Sequence, residues 1–287
     1  AYTALFKHDL KGLLAYSTIS HLGLITLLFG LDTRMAAIAA VFHIINHAVF
    51  KASLFMAAGI IDHESGSRDM RQLNGLWKYM PYTATLAMVA AASMAGVPLL
   101  NGFLSKEMLF AETLHQTTLG SLSWLIPVLA TVGGALAVAY SLRFIHDVFF
   151  NGEPINLPKT PHEPPRYMRV PVEVLVVICL LVGVVPNFAV GDLLNTAAGA
   201  VLQAPLPEFS LAVWHGFNIP LLMSLLAVAG GAVLYLNRRH LFGLQGQFAD
   251  IDAKYEFERS VQWVTRKAVA VQALFDNGKL QRYVIML

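Results

Sequence analysis

The sequence has little charge and a single cysteine. Asp, Glu, Lys and Arg make up 13% of its 287 residues, whereas 56% are hydrophobic; a soluble domain usually carries about 25% charged residues. The scarce charges cluster between long apolar runs, a pattern that indicates a membrane protein. With Cys179 as the one cysteine, neither a disulfide within the chain nor a metal site built from cysteines can form.

Signatures of catalysis and cofactor binding are also missing from the sequence. It shows no catalytic triad, metal-ligand cluster, haem motif, Gly-rich nucleotide loop or basic patch for nucleic acid. We therefore predict a chain that is not itself an enzyme and binds no cofactor, metal or nucleic acid. Nothing resembles a signal peptide, there is no initiator Met, and residues 282–287 look like the start of another apolar helix. These features predict a longer parent protein.

Long apolar runs predict an all-α fold, a polytopic bundle of transmembrane helices. A bilayer core about 30 Å thick requires roughly 20 apolar residues per helix. The stretch 82–113 is interrupted at 98–102 by proline, asparagine and glycine, and its last part, 103–113, is a short, more polar helix. We predict spans at residues 12–31, 35–61, 82–113 (as one discontinuous, broken helix), 122–150, 170–190 and 217–236.

The distribution of Lys and Arg supports a single crossing for the broken helix. If 82–113 crosses once, ten basic residues fall on one side and only Arg34 on the other; if it crosses twice, the division is five against six. Lys and Arg near helix ends remain cytoplasmic, so only the first division fits that rule. We therefore predict six spans, with the Lys- and Arg-rich loops, including 62–80, on the cytoplasmic side.

A stripe of ionisable residues occupies the second predicted span. His43, His47 and Lys51 recur at every fourth position, so they share one helix face and rise about 6 Å at each step. A lysine at the bilayer centre costs about 2.5 to 3.5 kcal/mol, so Lys51 is expected to face protein or trapped water. Either histidine alone could be a packed core residue. Because histidine titrates near neutral pH, the three together favour a proton relay.

Further candidates lie on the neighbouring predicted helices. Lys106 and Glu107 follow the break, where Lys106 could accept protons beside a cavity that the break creates. The alternative is that both are solvated residues at a helix end. Lys11 and His21 flank the first span, and His21 could extend the relay or simply pack in the core.

A charged stretch near the C-terminus predicts an amphipathic helix rather than a span. Over residues 255–276, apolar side chains recur at alternating steps of three and four, and the charges fall off that face. Such a helix can lie flat at the membrane interface.

Several motifs carry a resemblance to a known family. KGLLAYSTISHLG at 11–23, HIINHAVFK at 43–51 and GFLSKE at 102–107 resemble the antiporter-like subunits shared by respiratory complex I and Mrp-type antiporters. GIIDHESGSRD at 59–69 and MAGVPLLNGFLSKEM at 94–108 are similar to the large A subunit of the Mrp (also called Pha) monovalent cation/proton antiporters.

The resemblance implies two inverted repeats of five helices, of which this chain carries only the second. In that pattern Lys51 and Lys106 match the two central lysines, His43 and His47 match the histidine pair, and Lys11 matches the lysine before the next helix. It divides the chain into a repeat core (1–120), additional transmembrane helices (121–240), and a cytoplasmic-side helix like the family's lateral helix followed by the start of a further span (241–287).

Three functions follow as hypotheses. The first is part of a Na⁺ or K⁺/H⁺ antiporter in the inner (plasma) membrane, with membrane lipid and other subunits of a multisubunit complex as partners. The proton and ion path would run through Lys51, Lys106, His43, His47, Lys11, His21 and Glu107. The second is a proton-pumping subunit of an NADH–quinone oxidoreductase, and the third is a membrane scaffold that transports nothing.

Overall fold

The computed structural model describes residues 1–116, 120–247 and 253–275. Within these ranges the chain forms α-helices and two short 3₁₀ turns, with no strand beyond an isolated bridge between Asp9 and Asp69. The helices are α1 (Tyr2–Phe6), α2 (Leu10–Gly30), α3 (Arg34–Ser65), α4 (Pro81–Ala95), α5 (Asn101–Leu114), α6 (Leu125–Phe149), α7 (Arg166–Val184), α8 (Pro186–Leu202), α9 (Ile219–Leu236), α10 (Arg238–Gln247) and α11 (Ala253–Phe275).

Five of the described helices are long and apolar enough to cross a membrane: α2, α3, α6, α7 and α9. They correspond to five of the six predicted spans, and the all-α, membrane-spanning fold class is confirmed. The outward-facing surface of the bundle is rich in large apolar side chains, such as Val177 on α7 and Leu222 on α9, as expected for helices in contact with lipid.

The remaining predicted span, the broken helix at 82–113, corresponds to two short helices. With 15 and 14 residues, α4 and α5 are each shorter than a bilayer-spanning helix. α4 ends because Gly96 takes the left-handed conformation, at φ 89°, and Pro98 follows two residues later. Leu99 is also left-handed, at φ 67°, and α5 begins at Asn101. That the two helices together form one interrupted crossing stays a prediction.

The predicted span 170–190 is wrong in its bounds. α7 ends at Val184, and a separate helix, α8, begins with Pro186 at its first turn. Proline lacks an N–H and clashes with the preceding turn of a helix, so it ends α7, whereas the first position of a new helix tolerates it. α8 had no counterpart in the sequence-based prediction.

The centre of the bundle is α3, which packs against α2, α4, α5, α7 and α8. Its start is fixed by Thr33, whose hydroxyl accepts from the backbone N–H of Ala36 at 3.0 Å. On the far side of α4 and α5, α6 packs along α9. Arg143 of α6 pairs with Asp147 at 3.3 Å and donates to the carbonyl of Leu5 at 2.5 Å, which ties the N-terminal turn to the bundle.

Contacts divide the chain into two units, Ala1–Asn237 and Arg238–Leu287. The second unit contains α10 and α11, and α11 covers the stretch for which an amphipathic helix was predicted. Its placement at the membrane interface and its likeness to a lateral helix stay predictions. The predicted start of a further span, at 276–287, lies outside the described residues, and the three-part division at 120 and 240 stays a prediction.

Candidate functional site

The ionisable stripe of α3 is buried. His43 is fully buried, His47 is 9% exposed and Lys51 is 4% exposed. The ring centroids of His43 and His47 are 6.3 Å apart, close to the rise of about 6 Å that four helical residues give. The stripe therefore faces the protein interior, as the cost of charge in lipid predicts.

His21 of α2 and His43 of α3 form the centre of a hydrogen-bonded chain. Nδ1 of His21 lies 3.0 Å from Nε2 of His43, and Nδ1 of His43 lies 3.0 Å from the hydroxyl of Ser105 in α5. At the other end, Nε2 of His21 lies 3.3 Å from the hydroxyl of Tyr140 in α6. Four helices thus contribute one member each. A neutral imidazole has one N–H donor and one acceptor nitrogen, so such a chain can pass a proton along and reverse its polarity.

His47 lies beside this chain without joining it. Its ring centroid is 5.2 Å from that of His21, and its Nε2 is buried without a protein hydrogen-bond partner. The side-chain oxygen and nitrogen of Asn46, the preceding residue, are likewise buried and unpartnered. Since buried polar groups are normally satisfied by protein or water, the polar centre of α3 is a place where water is needed.

Lys51 reaches from α3 to the first turns of α2 and to the end of α4. Its ammonium donates to the hydroxyl of Ser17 in a short hydrogen bond and to the carbonyl of Leu14 at 3.3 Å. It also lies 3.3 Å from the sulfur of Met94. All of these partners are neutral, so within the described part of the chain the charge of Lys51 is met by dipoles and not by a carboxylate.

Lys106 occupies the break between α4 and α5. Its ammonium donates to the carbonyls of Met94 and Ala95, both at 2.8 Å, and the residue is 5% exposed. The last carbonyls of a helix lack intrahelical partners and carry negative partial charge, so a cation there is favourable. The sequence-based alternative of a solvated Lys106 is therefore wrong. Lys51 contacts the sulfur of Met94, and Lys106 donates to the carbonyl of the same residue. A single residue, Met94, therefore lies between the two lysines.

Glu107 lines a different space from Lys106. It borders a surface cavity of about 360 Å³ between α3, α5 and the start of α9, together with Glu112 and apolar side chains. Its carboxylate accepts from the amide of Asn218 at 3.3 Å and lies 3.8 Å from Nδ1 of His215. At 7% exposed it is also not a solvated helix-end residue.

Lys11 lies apart from the histidines. It pairs with Asp62 at 2.8 Å, where the start of α2 meets the end of α3, and its side chain is 36% exposed. Of the seven predicted path residues, the structure therefore brings five together, His21, His43, His47, Lys51 and Lys106. It places Lys11 at the surface and Glu107 at the cavity.

Several polar contacts of this cluster were not identified from the sequence. Ser17, Met94, Ser105 and Tyr140 carry no charge, so a search for costly charges in apolar runs passes over them. Ser105 could have been noticed, because it directly precedes Lys106 in the helix after the break. Tyr140 gives no local signal, since its partner His21 is 119 residues away.

A resident metal ion has no evident place in the described part of the chain. No group of three or more His, Cys, Asp and Glu side chains within residues 1–116, 120–247 and 253–275 is arranged to hold one. The paired imidazoles instead bond to each other and to hydroxyl groups.

Comparison with known proteins finds antiporter subunits among the relatives of this chain. The family described as "NADH:quinone oxidoreductase/Mrp antiporter, TM" matches residues 1–135. The A/B subunit of a probable K⁺/H⁺ antiporter from Rhizobium meliloti is 62% identical over 239 residues, which cover 83% of this chain and 24% of that protein. The A subunit of a Na⁺/H⁺ antiporter from Bacillus subtilis is 34% identical over 310 residues, covering all of this chain and 39% of that protein.

Solved structures of related membrane complexes contain chains with a similar fold. A chain of the Mrp complex from Dietzia sp. DQ12-45-1b superposes with a TM-score of 0.78 at 32% identity, covering 99% of this chain and 30% of that one. A chain of respiratory complex I from Thermus thermophilus has a TM-score of 0.57 at 23% identity, over 70% of this chain and 40% of that one, so it shares the fold. This chain therefore spans between a quarter and two fifths of the length of these relatives.

Proposed function

Because the chain belongs to the family of membrane subunits that NADH:quinone oxidoreductases share with Mrp antiporters, we propose that it is part of a proton-coupled Na⁺ or K⁺ antiporter. It contributes a buried Lys and His proton path to that activity. The observation that carries the proposal is the hydrogen-bonded chain from Tyr140 through His21 and His43 to Ser105, with the buried lysines Lys51 and Lys106 nearby.

The order of the contacts along the helices supports a path across the membrane. Lys11 lies at the end of the bundle where the Lys- and Arg-rich loops cluster, which we assign to the cytoplasmic side. Lys51 meets Ser17, two turns further along α2, and the histidines follow at the level of His21. Lys106 comes next, and Glu107 opens into the cavity near the start of α3 and of α9.

The proposed mechanism is electrostatic. Two lysines separated by one methionine repel each other when both carry charge, and they do so strongly in a medium of low dielectric constant. A proton that arrives at Lys51 therefore favours release of a proton from Lys106, and a Na⁺ or K⁺ ion nearby has the same effect. Passage between them uses the histidine chain and water at the unpartnered Asn46 and His47.

The partners and location follow from the same proposal. We place the chain in the plasma membrane as a multi-pass component of a multisubunit complex. The family pattern has a first repeat that is not among these 287 residues. The activity therefore belongs to the complete parent assembly.

A second candidate is a proton-pumping subunit of an NADH–quinone oxidoreductase, because the family description includes those enzymes and complex I shares the fold. The same buried path would serve both functions. What separates them is the source of energy. In the antiporter, proton influx drives Na⁺ or K⁺ export, whereas in the enzyme NADH oxidation drives proton pumping.

The test uses everted vesicles that contain the complete parent assembly. A pH gradient is built up, Na⁺ or K⁺ is added, and a pH-sensitive dye reports collapse of the gradient. We expect Lys106→Ala to abolish the cation-dependent signal and Ser105→Ala to slow it, because these changes remove the lysine and the link to His43. Lys78→Ala, which removes an exposed loop lysine, is the matched control and should leave transport unchanged.

Three results would decide between these functions. Transport that persists in a normally assembled Lys106→Ala complex would contradict the proposed path. Proton pumping driven by NADH, without a response to cations, would favour the respiratory enzyme. A complex that assembles but neither exchanges cations nor pumps protons would favour a scaffold.

A further inference from the structure

A second, smaller cavity borders Lys106. It is bordered by Gly96 and Lys106 at the break, Phe110 of α5, Gly134 of α6 and Ser224 of α9. Its volume is about 10 Å³, close to the roughly 10 to 15 Å³ that one water molecule requires on this measure.

The hydroxyl of Ser224 is an orphaned polar group at this cavity. Its oxygen is buried, and it has no hydrogen-bond partner in the protein. By contrast, the buried Ser141 donates to the carbonyl of Ala137 in its own helix at 2.7 Å, and Ser53 donates to that of Val49 at 3.1 Å. Ser224 instead borders the cavity. An unpartnered hydroxyl in a protein interior costs about 1 to 3 kcal/mol, so it calls for a partner.

Lys106 has hydrogen-bonding capacity left for the same space. An ammonium group has three N–H donors, and the two recorded hydrogen bonds of Lys106 go to the carbonyls of Met94 and Ala95. The third hydrogen has no partner among these contacts. The cavity therefore joins a donor in need of an acceptor to a hydroxyl that can both donate and accept.

We propose that this cavity binds a single water molecule, held between Lys106 and Ser224. The absence of a side chain at Gly134 leaves room for it. A methyl group added at Gly134 would lie 3.1 Å from the Cβ of Ala227 and 3.2 Å from the ring of Phe110, so any larger residue there would intrude on the space. A water has the right size and offers both kinds of hydrogen bond, whereas an ion would need more polar ligands.

The site gives α9 a part in the proton path, a step that rests on the proposed function. The water and Ser224 provide Lys106 with a proton-exchanging contact on α9. The start of the same helix, at Asn218, donates to Glu107 in the larger cavity. α9 thus borders both Lys106 and the opening beyond it, although it lies outside the residues that the family description matches.

The ionisable groups close enough to act electrostatically on this site are on the histidine side. His21 of α2, and His43 and Lys51 of α3, interact electrostatically with Lys106. Among the described residues that line the small cavity, Lys106 is the one charged group. The proposed water therefore bonds to one cation and one hydroxyl.

The direct test is a structure of the complete parent complex at a resolution that shows ordered water, about 2 Å. Density within hydrogen-bonding distance of both the lysine nitrogen and the serine oxygen is expected. It should disappear in Ser224→Ala, which removes the hydroxyl but leaves the space, and in Gly134→Ala, which fills the space but keeps the hydroxyl. A well-resolved site without density in the unaltered complex would overturn the proposal.

Transport by the same variants provides the functional test. Ser224→Ala and Gly134→Ala should both slow cation-dependent proton movement by about tenfold or more, since a positioned proton-transfer group contributes at least that much. Ser141→Ala, a buried serine bonded to its own helix, is the control and should transport normally. Unchanged transport in both cavity variants, with Lys106→Ala inactive, would refute the role in proton movement and leave the proposed function standing. If Lys106→Ala transports normally while the unaltered complex shows the water, the proposed function is refuted and the water site stands.

Discussion

The close approach of the α4–α5 break to α7 gives a prediction that does not depend on transport. A Cβ added at Gly183 of α7 would lie 2.2 Å from the carbonyl oxygen of Leu99 and 2.6 Å from the Cα of Leu100. Carbon atoms in good contact are about 3.5 to 4.0 Å apart, so the overlap is more than about 1 Å. Both contacts are with backbone, which no side-chain rotation can relieve. In Gly183→Ala the break must therefore move away from α7.

The expected cost can be worked out from two opposing terms. Overpacking a tight interior costs about 1 to 3 kcal/mol, and a rigid backbone contact places Gly183→Ala near the upper end. Replacing glycine by alanine within a helix returns about 1 kcal/mol. The net loss is about 2 kcal/mol, which raises the population of locally opened molecules about 30-fold.

The thiol of Cys179 can report this opening. Cys179 lies one turn before Gly183 on α7 and is fully buried. In the purified parent protein, the rate at which a maleimide labels the Cys179 peptide, followed by mass spectrometry, should be about 30-fold higher in Gly183→Ala. The matched control is Gly191→Ala in α8, where an added Cβ meets nothing within 4 Å.

Equal labelling rates in the unaltered protein and in Gly183→Ala would refute this reasoning, because they would mean that α7 does not hold the break in place. The control should show a rate that is equal or lower, since alanine stabilises a helix relative to glycine by roughly 0.5 to 1 kcal/mol.

Two further predictions concern the loops at the Lys- and Arg-rich end. Glu163 accepts hydrogen bonds from two backbone N–H groups and a hydroxyl at the start of α4. Glu163→Gln should therefore lower the free energy of unfolding by about 1 kcal/mol in a thermal unfolding assay. An effect no larger than that of Glu173→Gln, which changes a partly exposed carboxylate, would contradict the role of Glu163 as a helix cap. Hydrogen bonds from Arg71 lower the pKa of Asp69, so their interaction stabilises the turn after α3 above the ordinary carboxyl pKa of about 3.9 and is lost as the pH falls below it. The protection of this turn's amides, measured as the exchange rate relative to the intrinsic rate at each pH, should fall at acid pH. In Asp69→Asn the protection should already be reduced at neutral pH and should not change with acid.

The interior placement of the charged stripe could be predicted from the sequence because it depends on one helix alone. His43, His47 and Lys51 lie at every fourth position of a long apolar run, so helical geometry puts them on one face and the cost of charge in lipid turns that face inward. The position of the break is equally local. Glycine and proline interrupt the apolar run there, and they end a helix wherever it is packed.

The partners of the stripe could not be predicted, because they depend on how separate helices pack. The contacts of His21 with His43 and Tyr140 join residues 22 and 119 positions apart, and no local pattern encodes them. α8 was missed for another reason. Its apolar start continues the run of α7, so hydrophobicity alone does not separate the two helices, and a single proline divides them.

The contacts of Lys106 suit both of its protonation states. A neutral amine has two N–H donors, which match the carbonyls of Met94 and Ala95, so these buried acceptors stay satisfied when the lysine loses a proton. The third hydrogen of the charged form is the one that can leave without breaking either bond. Because the break is what frees those carbonyls from their own helix, it serves two purposes. It stabilises a charge inside the membrane, and it allows that charge to be removed without reorganising the backbone.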